Sequence, residues 1–445
     1  MKIKKVLIAN RGEIAIRVIR TCKELGIETV SVHSTIDENS LHVKMADESV
    51  CIGPAQAHKS YLNPQAILSA VEITGADAIH PGYGFLSENS EFAKMCEDCS
   101  LNFIGPSPEI IKSMGSKIKS KEIARQAGVA TLESIILDKL SFEEVLEKID
   151  KLGLPVLIKA SCGGGGRGME VIRELENLKS KIEKLQAEAL LAFGDGTLFI
   201  EKFIERPRHI EVQIAGDDFG NIIHLGERDC TIQRNYQKVL EESPSMVLTQ
   251  ELRKEICSSA VKIAKAVNYN SVGTVEFLFD LDSNKYYFIE MNTRIQVEHP
   301  VTEMVTGVDL IELQLEIAQK KKIKFKQSDI KFNGHAIECR INAEDSKTFL
   351  PSPGHIDHYH RPGGLGVRID DYIYTGYKVS PFYDSMVSKI ICHDQSRQRC
   401  ISRMKRAINE TIIGGISTNL EMHVSILNNE KFLSNQYSTN FLKNL

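Results

Sequence analysis

The stretch TVEFLFDLDSNKYYFIEMNTRIQVEHP, residues 274–300, decides the fold of the middle of the chain. Two runs rich in aromatic and β-branched side chains, 274–280 and 286–292, flank the turn-forming segment LDSNK. This pattern predicts an antiparallel hairpin of two strands. Successive side chains of a strand point to opposite faces, so residues two apart along either strand share one face.

Long functional side chains occupy every second position in the last part of this stretch. These positions are Glu290, Asn292, Arg294, Gln296 and Glu298. If the strand extends through them, they form one face that carries carboxylates, amides and a guanidinium. A solvated strand face is the simpler alternative. The chemistry of the set favours a site that holds a metal, an anion and a base in a row.

The hairpin also predicts a metal site. Glu276 in the first strand is expected to face Glu290 and Asn292 in the second. Two carboxylates and an amide oxygen form a hard oxygen site that suits Mg²⁺, which keeps waters and bridges to phosphates. The alternative is a pair of surface glutamates on a hairpin. A phosphate-binding loop elsewhere in the chain favours the metal site.

A candidate for that loop is the run of four glycines at residues 163–166, which follows a predicted strand containing Lys159. Glycines let backbone N–H groups approach phosphate oxygens closely, and a lysine adds a point charge for them. The pattern is not that of a P-loop, because no Lys-Ser or Lys-Thr pair follows. A flexible turn is the alternative. Residues 201–204, EKFI, are predicted to be extended, with a backbone suited to pairing with an adenine edge.

Bulk properties restrict the class of protein. A hydrophobic content of 42% and a charged content of 26% are typical of a globular protein. A net charge of -4 argues against nucleic acid or an anionic membrane as the main partner. The amino-terminal apolar run is too short for a signal peptide, and no apolar run has transmembrane length. Ten scattered cysteines suggest a reducing compartment, so we expect a cytoplasmic enzyme.

The length of 445 residues suggests about three domains. The first part alternates predicted strands and helices, which implies a parallel sheet, although its first turn lacks G-x-G-x-x-G. The remainder combines helices with runs of strands, so the predicted class is an α/β and α+β multidomain chain. The expected domains are 1–114, 115–330 and 331–445.

Several long motifs in one order resemble a known family across essentially the whole chain. They are KVLIANRGEIAIR at 5–17, HPGYGFLSEN at 80–89, IKASCGGGGRGM at 158–169, GERDCTIQR at 226–234, EMNTRIQVEHPVTEM at 290–304 and HAIECRINAED at 335–345. The chain resembles the biotin carboxylase subunits of biotin-dependent carboxylases, which belong to the ATP-grasp superfamily. The resemblance implies an ATP-grasp fold, with a mobile lid at about 131–204, between an amino-terminal Rossmann-like domain and a carboxyl-terminal mixed α+β domain.

The resemblance also implies which residues hold the nucleotide and its metal. ATP would be bound by Lys117, Lys159, Gly165, Gly166, Glu201, Lys202, Phe203, Ile204, His209, Gln233 and Tyr236. The metal ligands Glu276, Glu290 and Asn292 would hold Mg²⁺, or Mn²⁺ in its place. The chain departs from a common family pattern at Asn235 and Tyr236, where the family often has a histidine, so the assignment there is the weakest of the set.

The remaining implied roles belong to bicarbonate and biotin. Bicarbonate would be held by Lys238, Arg294, Gln296 and the backbone of Val297, with Glu298 as its general base. Arg340 would stabilise the enolate of biotin, and Tyr83 and Gly84 would line the biotin pocket. The implied catalytic residues are Lys238, Arg294, Glu298 and Arg340.

The implied function is ATP- and bicarbonate-dependent carboxylation of biotin through carboxyphosphate. Because no AMKM-like biotinylation sequence is present, biotin is expected on a separate biotin carboxyl carrier protein, with a carboxyltransferase as a further partner and a homodimer as the assembly. The favoured assembly is acetyl-CoA carboxylase, which supplies malonyl-CoA for fatty acid synthesis, and a two-subunit pyruvate or other 2-oxoacid carboxylase is the alternative. A different ATP-grasp ligase and a non-catalytic protein are the competing hypotheses.

Overall fold

In the computed structural model, which describes residues 2–138, 140–161 and 168–445, the amino-terminal part of the chain alternates strands and helices. Its elements are β1 (Lys5–Ile8), α1 (Gly12–Glu24), β2 (Glu28–Ser34), α2 (Leu41–Met45), β3 (Glu48–Gly53), α3 (Pro64–Thr74), β4 (Ala78–His80), α4 (Ser90–Asp98), β5 (Asn102–Phe103) and α5 (Pro108–Gly115). The strands form a parallel sheet in the order β3-β2-β1-β4-β5. This confirms the predicted parallel sheet.

The topology of this sheet places two loops side by side. Strands β1 and β4 are neighbours, and their carboxyl ends lie at the same edge of the sheet. In open parallel sheets the ligand crevice lies outside this edge. The loop after β1 leads through Gly12, with φ +67, into α1, and the loop after β4 carries Tyr83 and Gly84. Both loops therefore face the crevice.

The next part of the chain is built around a small antiparallel sheet. Its elements are α6 (Lys117–Gln126), β6 (Ser134–Ile136), α7 (Phe142–Leu152), β7 (Val156–Ala160), β8 (Met169–Ile172), α8 (Leu178–Phe193) and β9 (Leu198–Lys202). The strand order is β6-β9-β7-β8. Helix α7 begins with a capping box in which Ser141 and Glu144 satisfy each other's backbone N–H groups. The predicted phosphate loop at 163–166, with Gly165 and Gly166, lies outside the described residues.

One large antiparallel sheet runs through the rest of the chain. The elements are β10 (Pro207–Gly216), β11 (Ile222–Arg234), β12 (Gln237–Ser243), α9 (Gln250–Ala266), β13 (Val272–Asp280), β14 (Lys285–Asn292), α10 (His299–Thr306), α11 (Leu310–Ala318), β15 (His335–Asn342), β16 (Gly354–His355), β17 (His358–His360), β18 (Val367–Asp371), β19 (Lys378–Val379), β20 (Met386–Asp394), α12 (Arg397–Glu410), β21 (Ile412–Gly414), α13 (Leu420–Asn428) and α14 (Glu430–Leu433). Eight strands pair in the order β14-β13-β10-β11-β12-β15-β20-β18. The sheet thus continues across residue 330, where the sequence predicts a domain boundary.

The hairpin predicted from residues 274–292 is present as β13 and β14. Glu276 pairs directly with Glu290, and Thr274 pairs with Asn292. A register shift follows between Glu276 and Phe277. Such a bulge inserts one extra residue in one strand and locally re-aims its side chains. The two carboxylates of the predicted metal site are therefore direct cross-strand neighbours.

The strand ends earlier than a continuous alternating face requires. β14 stops at Asn292, and α10 begins at His299 with Glu298 as its N-cap residue. Pro300 lies in the first turn of α10, where a proline fits because its missing N–H would have no helical partner. A single flat face from residue 290 to residue 298 is therefore wrong.

Among the helices of the described residues, none is both long and apolar enough to cross a membrane.

Candidate active site

A single cleft of about 850 Å³ gathers nearly all of the predicted site residues. It lies where the crevice of the parallel sheet, the small antiparallel sheet and the large sheet meet. The predicted residues that line it are Tyr83, Gly84, Lys117, Lys159, Lys202, Phe203, Ile204, His209, Gln233, Tyr236, Lys238, Glu276, Glu290, Asn292, Arg294, Gln296, Val297, Glu298 and Arg340. Residues that lie far apart in the sequence thus share one cavity of the size that small-molecule sites have.

One end of the cleft combines apolar side chains with lysines. Glu201 lies behind this wall, with a relative exposure of 1%. Its carboxylate contacts Lys121 and, at 2.9 Å, the Nζ of Lys159. A buried carboxylate requires such partners because transfer from water is costly. Lys121, which also lies over the ring of Phe199, was not predicted from the sequence.

The chain departs from the common family pattern at Asn235 and Tyr236, which lie in a turn near this end of the cleft. Asn235 and Tyr236 have φ values of +49° and +63°, so they form the tight turn between β11 and β12. Tyr236 is 48% exposed at the tip of this turn and faces the cleft. Nearby, the Nε2 of Gln233 lies 2.8 Å from the Nδ1 of His209. The turn thus keeps a hydroxyl at the rim of the cleft.

A network of charges occupies the middle of the cleft, centred on Lys238. Its ammonium donates to Glu211 at 2.5 Å, to Glu276 at 3.0 Å and to Glu298 at 2.6 Å. Only 13% of the Lys238 side chain is exposed. Burial acts to lower its pKa, but the three carboxylates raise the pKa well above its ordinary value. Lys238 is therefore a permanent cation.

The second cation of the network is Arg340, on β15. It donates to Glu241 at 2.6 Å and to the second oxygen of Glu298 at 2.8 Å. Burial acts to raise the pKa of Glu298, but Lys238 and Arg340 together hold it well below its usual range. Burial raises the pKa of Glu241 to about 7 despite Arg340. Glu298 is thus an ionised carboxylate whose two oxygens are each held by a different cation.

The predicted metal ligands lie beside this network. The Nδ2 of Asn292 donates to Glu276 at 2.8 Å, and the Nε2 of His209 lies 2.8 Å from the other oxygen of Glu276. Burial raises the pKa of Glu290, and the negative charge of Glu276 adds to the effect. A cation between the two carboxylates would stabilise the ionised form of Glu290 and so oppose both causes of its raised pKa. The donor set of two carboxylates and an amide oxygen therefore fits Mg²⁺.

Three further charged residues support the predicted anion-binding side chains. Glu88 accepts from the Nε of Arg294 at 2.9 Å, and it belongs to the motif at 80–89. Arg228, fully buried, donates to Glu211 at 2.5 Å and to Gln296 at 2.9 Å. Glu211 and Arg228 are buried charged residues in strands that carry several other polar side chains, so alternation alone does not single them out. Arg228 does lie in the motif at 226–234.

The opposite end of the cleft contains the predicted biotin-pocket residues. The hydroxyl of Tyr83 donates to Glu13 on α1. Gly84 has φ +68, a conformation that strongly favours glycine, and it is exposed beside Tyr83. Tyr372 and Tyr383 from the carboxyl-terminal part of the chain complete this wall. Aromatic faces and a few polar groups are the usual lining of a pocket for an uncharged ring system.

Comparison with known proteins assigns each part of the chain to a family. Residues 2–111 match the biotin carboxylase N-terminal domain, residues 116–326 match the ATP-binding domain of the carbamoyl-phosphate synthase L chain, and residues 338–444 match the biotin carboxylase C-terminal domain. Biotin carboxylase 1 of Bacillus subtilis is 53% identical over 442 residues, which cover 99% of this chain and 98% of that protein. The chain belongs to the biotin carboxylase family.

Solved structures of biotin carboxylases share the whole fold. A biotin carboxylase from Campylobacter jejuni, described as a β-γ-ATP complex, has a TM-score of 0.97 and 47% identity. The match covers 100% of this chain and 99% of that chain. The biotin carboxylase domain dimer of Hydrogenobacter thermophilus 2-oxoglutarate carboxylase, with MgADP, ADP and bicarbonate, has a TM-score of 0.95 and 47% identity, with coverage of 100% and 98%. The ATP-grasp fold between a parallel-sheet domain and a mixed carboxyl-terminal domain is therefore confirmed.

Proposed function

We propose that this biotin carboxylase family member uses ATP and bicarbonate to carboxylate biotin carried by a separate carrier protein in the cytoplasm. The observation that supports this most directly is Glu298, an ionised carboxylate held between Lys238 and Arg340. A base for bicarbonate must be ionised and must lie beside cations that stabilise the dianion it creates. The cleft combines that base with a site for a magnesium nucleotide and with an aromatic pocket.

The nucleotide would lie at the lysine-rich end of the cleft. Lys117 and Lys159 would neutralise its phosphates, and the backbone after β9 would pair with the adenine edge. When bound at Glu276, Glu290 and Asn292, Mg²⁺ would neutralise charge that develops on the γ-phosphoryl group. The proposed lid at 131–204 would exclude water from the product.

Bicarbonate would be activated by Glu298. Arg294, Gln296 and the backbone of Val297 would hold the anion while the Glu298 carboxylate removes its proton. The resulting oxygen nucleophile attacks the γ-phosphoryl group, and ADP leaves, so that carboxyphosphate forms. Arginine suits this place because it keeps its charge in any protein environment.

Biotin would react at the other end of the same site. Carboxyphosphate splits into CO₂ and phosphate, and the phosphate takes the proton of the ureido nitrogen. That nitrogen then attacks CO₂, while Arg340 stabilises the negative charge on the ureido oxygen. The short distance between Arg340 and Glu298, 2.8 Å, would keep the two reactions within one cavity.

Lys121 provides a test of the nucleotide end. In the proposed complex Lys159 turns toward phosphate, and Lys121 then keeps the buried Glu201 paired. Replacement of Lys121 by Met should hold Lys159 on Glu201 and raise the Kd for ATP by about tenfold, which corresponds to about 1.4 kcal/mol. Isothermal titration with ATP measures this, and the exposed Lys94→Met serves as the control. An unchanged Kd for ATP in a folded Lys121→Met protein would show that Lys121 does not support ATP binding.

The whole proposal is tested by ATP hydrolysis. We expect hydrolysis to require Mg²⁺ and bicarbonate and to accelerate strongly when free biotin is added. A different ATP-grasp ligase would hydrolyse ATP without responding to biotin, and a non-catalytic protein would not hydrolyse it at all. A lack of biotin stimulation in protein that binds ATP would refute the proposed function.

The acyl acceptor is a separate part of the proposal. We favour a carboxyltransferase that uses acetyl-CoA, and a two-subunit pyruvate or other 2-oxoacid carboxylase is the alternative. The Hydrogenobacter thermophilus protein is a 2-oxoglutarate carboxylase, so a closely similar fold serves a 2-oxoacid enzyme. Identification of the carrier and carboxyltransferase that co-purify with the chain decides between the two. The proposed assembly is a homodimer, and the proposed domains are 1–114, 115–330 and 331–445.

A further inference from the structure

A buried lysine outside the predicted site joins three distant parts of the chain. Lys389, on β20, has a relative exposure of 0%. Its ammonium donates to the carbonyl oxygen of Val297 at 2.7 Å and lies 3.1 Å from a carboxylate oxygen of Glu13. Val297 lies between β14 and α10, and Glu13 lies in the first turn of α1. One side chain on β20 therefore connects the start of α1 with the loop between β14 and α10.

Glu13 extends this connection to the aromatic end of the cleft. The same carboxylate oxygen of Glu13 that faces Lys389 also accepts the hydrogen bond from the hydroxyl of Tyr83. Both residues line the cleft, and the carboxylate is buried with only 2% of its side chain exposed. A continuous row of polar contacts thus runs from Tyr83 through Glu13 and Lys389 to Val297.

Lys389, at the centre of this row, is protonated and carries a positive charge. Burial acts to lower the pKa of Lys389, but Glu13 and Glu338 raise it above its ordinary value. A buried ammonium is costly unless its bonds are well placed, and removal of one partner leaves an uncompensated charge. We therefore expect the groups of this row to shift as one unit. These groups are the Tyr83 hydroxyl, the Glu13 carboxylate, the Lys389 ammonium and the Val297 carbonyl.

The backbone contact explains why this row bears on catalysis. The peptide group that carries the Val297 carbonyl also carries the N–H of Glu298. A hydrogen bond from Lys389 to this carbonyl fixes the peptide plane, and with it the direction in which Val297 and Glu298 face the cleft. In the proposed mechanism these two residues hold bicarbonate and remove its proton.

We propose that Lys389 is a positioning residue for the bicarbonate site and that Glu13 couples it to Tyr83, so that biotin and bicarbonate favour each other's binding. The inference rests on the proposed function, in which Tyr83 lines the biotin pocket. Any such coupling is reciprocal, because each ligand must change the affinity for the other by the same factor. Lys389 acts through Val297 and Glu298 and does not itself touch a substrate.

The first test replaces Lys389 by Met. We expect the KM for bicarbonate to rise by about tenfold, while the KM for ATP stays within about twofold. Among the residues that the structure describes, no hydrogen bond or ion pair joins the nucleotide end of the cleft to this row. Lys378→Met, an identical change at an exposed position on β19, should alter neither constant. An equal loss in both KM values would indicate general damage to the cleft and would overturn the positioning role.

A double-mutant cycle tests the coupling itself, which spatial continuity alone does not establish. Tyr83→Phe removes only the hydroxyl and should raise the KM for bicarbonate by about threefold in the otherwise intact enzyme. In the Lys389→Met background the same change should have almost no further effect. If the two losses multiply, the residues act independently and the coupling is wrong.

A second cycle covers the case in which Lys389→Met does not fold. Glu13→Gln keeps an acceptor for Tyr83 but removes the charge that faces Lys389. It takes the place of Lys389→Met in the double-mutant cycle with Tyr83→Phe. Failure of wild-type protein to show biotin-stimulated ATP hydrolysis would refute the proposed function. Normal biotin stimulation in the wild type, together with multiplicative losses in the cycle, would overturn the coupling alone.

Discussion

The Glu298→Gln variant should lose biotin carboxylation by a factor of about 10³ and keep its affinity for ATP within about twofold. The amide has the shape of the carboxylate, but it cannot remove a proton from bicarbonate. In the wild-type structure Lys238 and Arg340 hold the pKa of Glu298 well below its usual range, against the effect of burial. The base is therefore ionised throughout the neutral range, and the loss should not be recovered by raising the pH.

Two measurements check this expectation. Carboxybiotin formation gives kcat, and titration with ATP in the absence of bicarbonate gives the nucleotide Kd. Glu91→Gln, an identical change at an exposed position on α4, is the matched control. Wild-type turnover in Glu298→Gln would remove Glu298 as the base, and a parallel loss of ATP affinity would indicate a disturbed cleft.

The Arg340→Met variant should lose biotin carboxylation by a factor of about 10² to 10³, because one donor to a developing negative charge is removed. Bicarbonate-dependent ATP hydrolysis in the absence of biotin should fall much less, since Arg294, Gln296 and Glu298 are all present. The result would be an enzyme that cleaves ATP but transfers little carbon. Comparison of ADP release with carboxybiotin formation measures this separation.

Arg340→Lys sharpens the test. Arginine makes two bonds, to Glu241 at 2.6 Å and to Glu298 at 2.8 Å, from a planar fork that a lysine cannot reproduce. We expect the lysine variant to recover part of the lost activity through its charge, but not all of it. Arg399→Met, at an exposed position on α12, is the control. An Arg340→Met variant in which ATP hydrolysis and carboxylation fall together would contradict the role assigned to Arg340.

The local features of the site could be predicted from the sequence because they depend on neighbours along the chain. Alternation in residues 274–292 predicted the hairpin, and the structure pairs Glu276 with Glu290 as that pattern requires. The alternation was misleading beyond Asn292, where Pro300 favours the start of a helix and the strand ends. Periodicity of side chains does not by itself show where a strand stops.

The partners of the site residues could not be predicted in the same way. Glu88 lies 206 positions from Arg294 along the chain, and Arg340 lies 99 positions from Glu241. Lys389 reaches the Val297 carbonyl across 92 positions. These contacts arise from sheet order and from the packing of one sheet against another, which no local pattern encodes. Glu211 and Arg228 lie in strands with several other polar side chains, so alternation along the strand does not single them out either.

In the proposed mechanism one cleft activates bicarbonate with ATP and transfers the carbon to biotin. The most direct test incubates the protein with ATP, Mg²⁺, biotin and carbon-labelled bicarbonate, and then counts labelled carboxybiotin against ADP. We predict that label enters biotin only when all four components are present, and that the amount formed in the wild type tracks the ADP released. ATP hydrolysis at the same rate with and without biotin, with no label in biotin, would contradict the account.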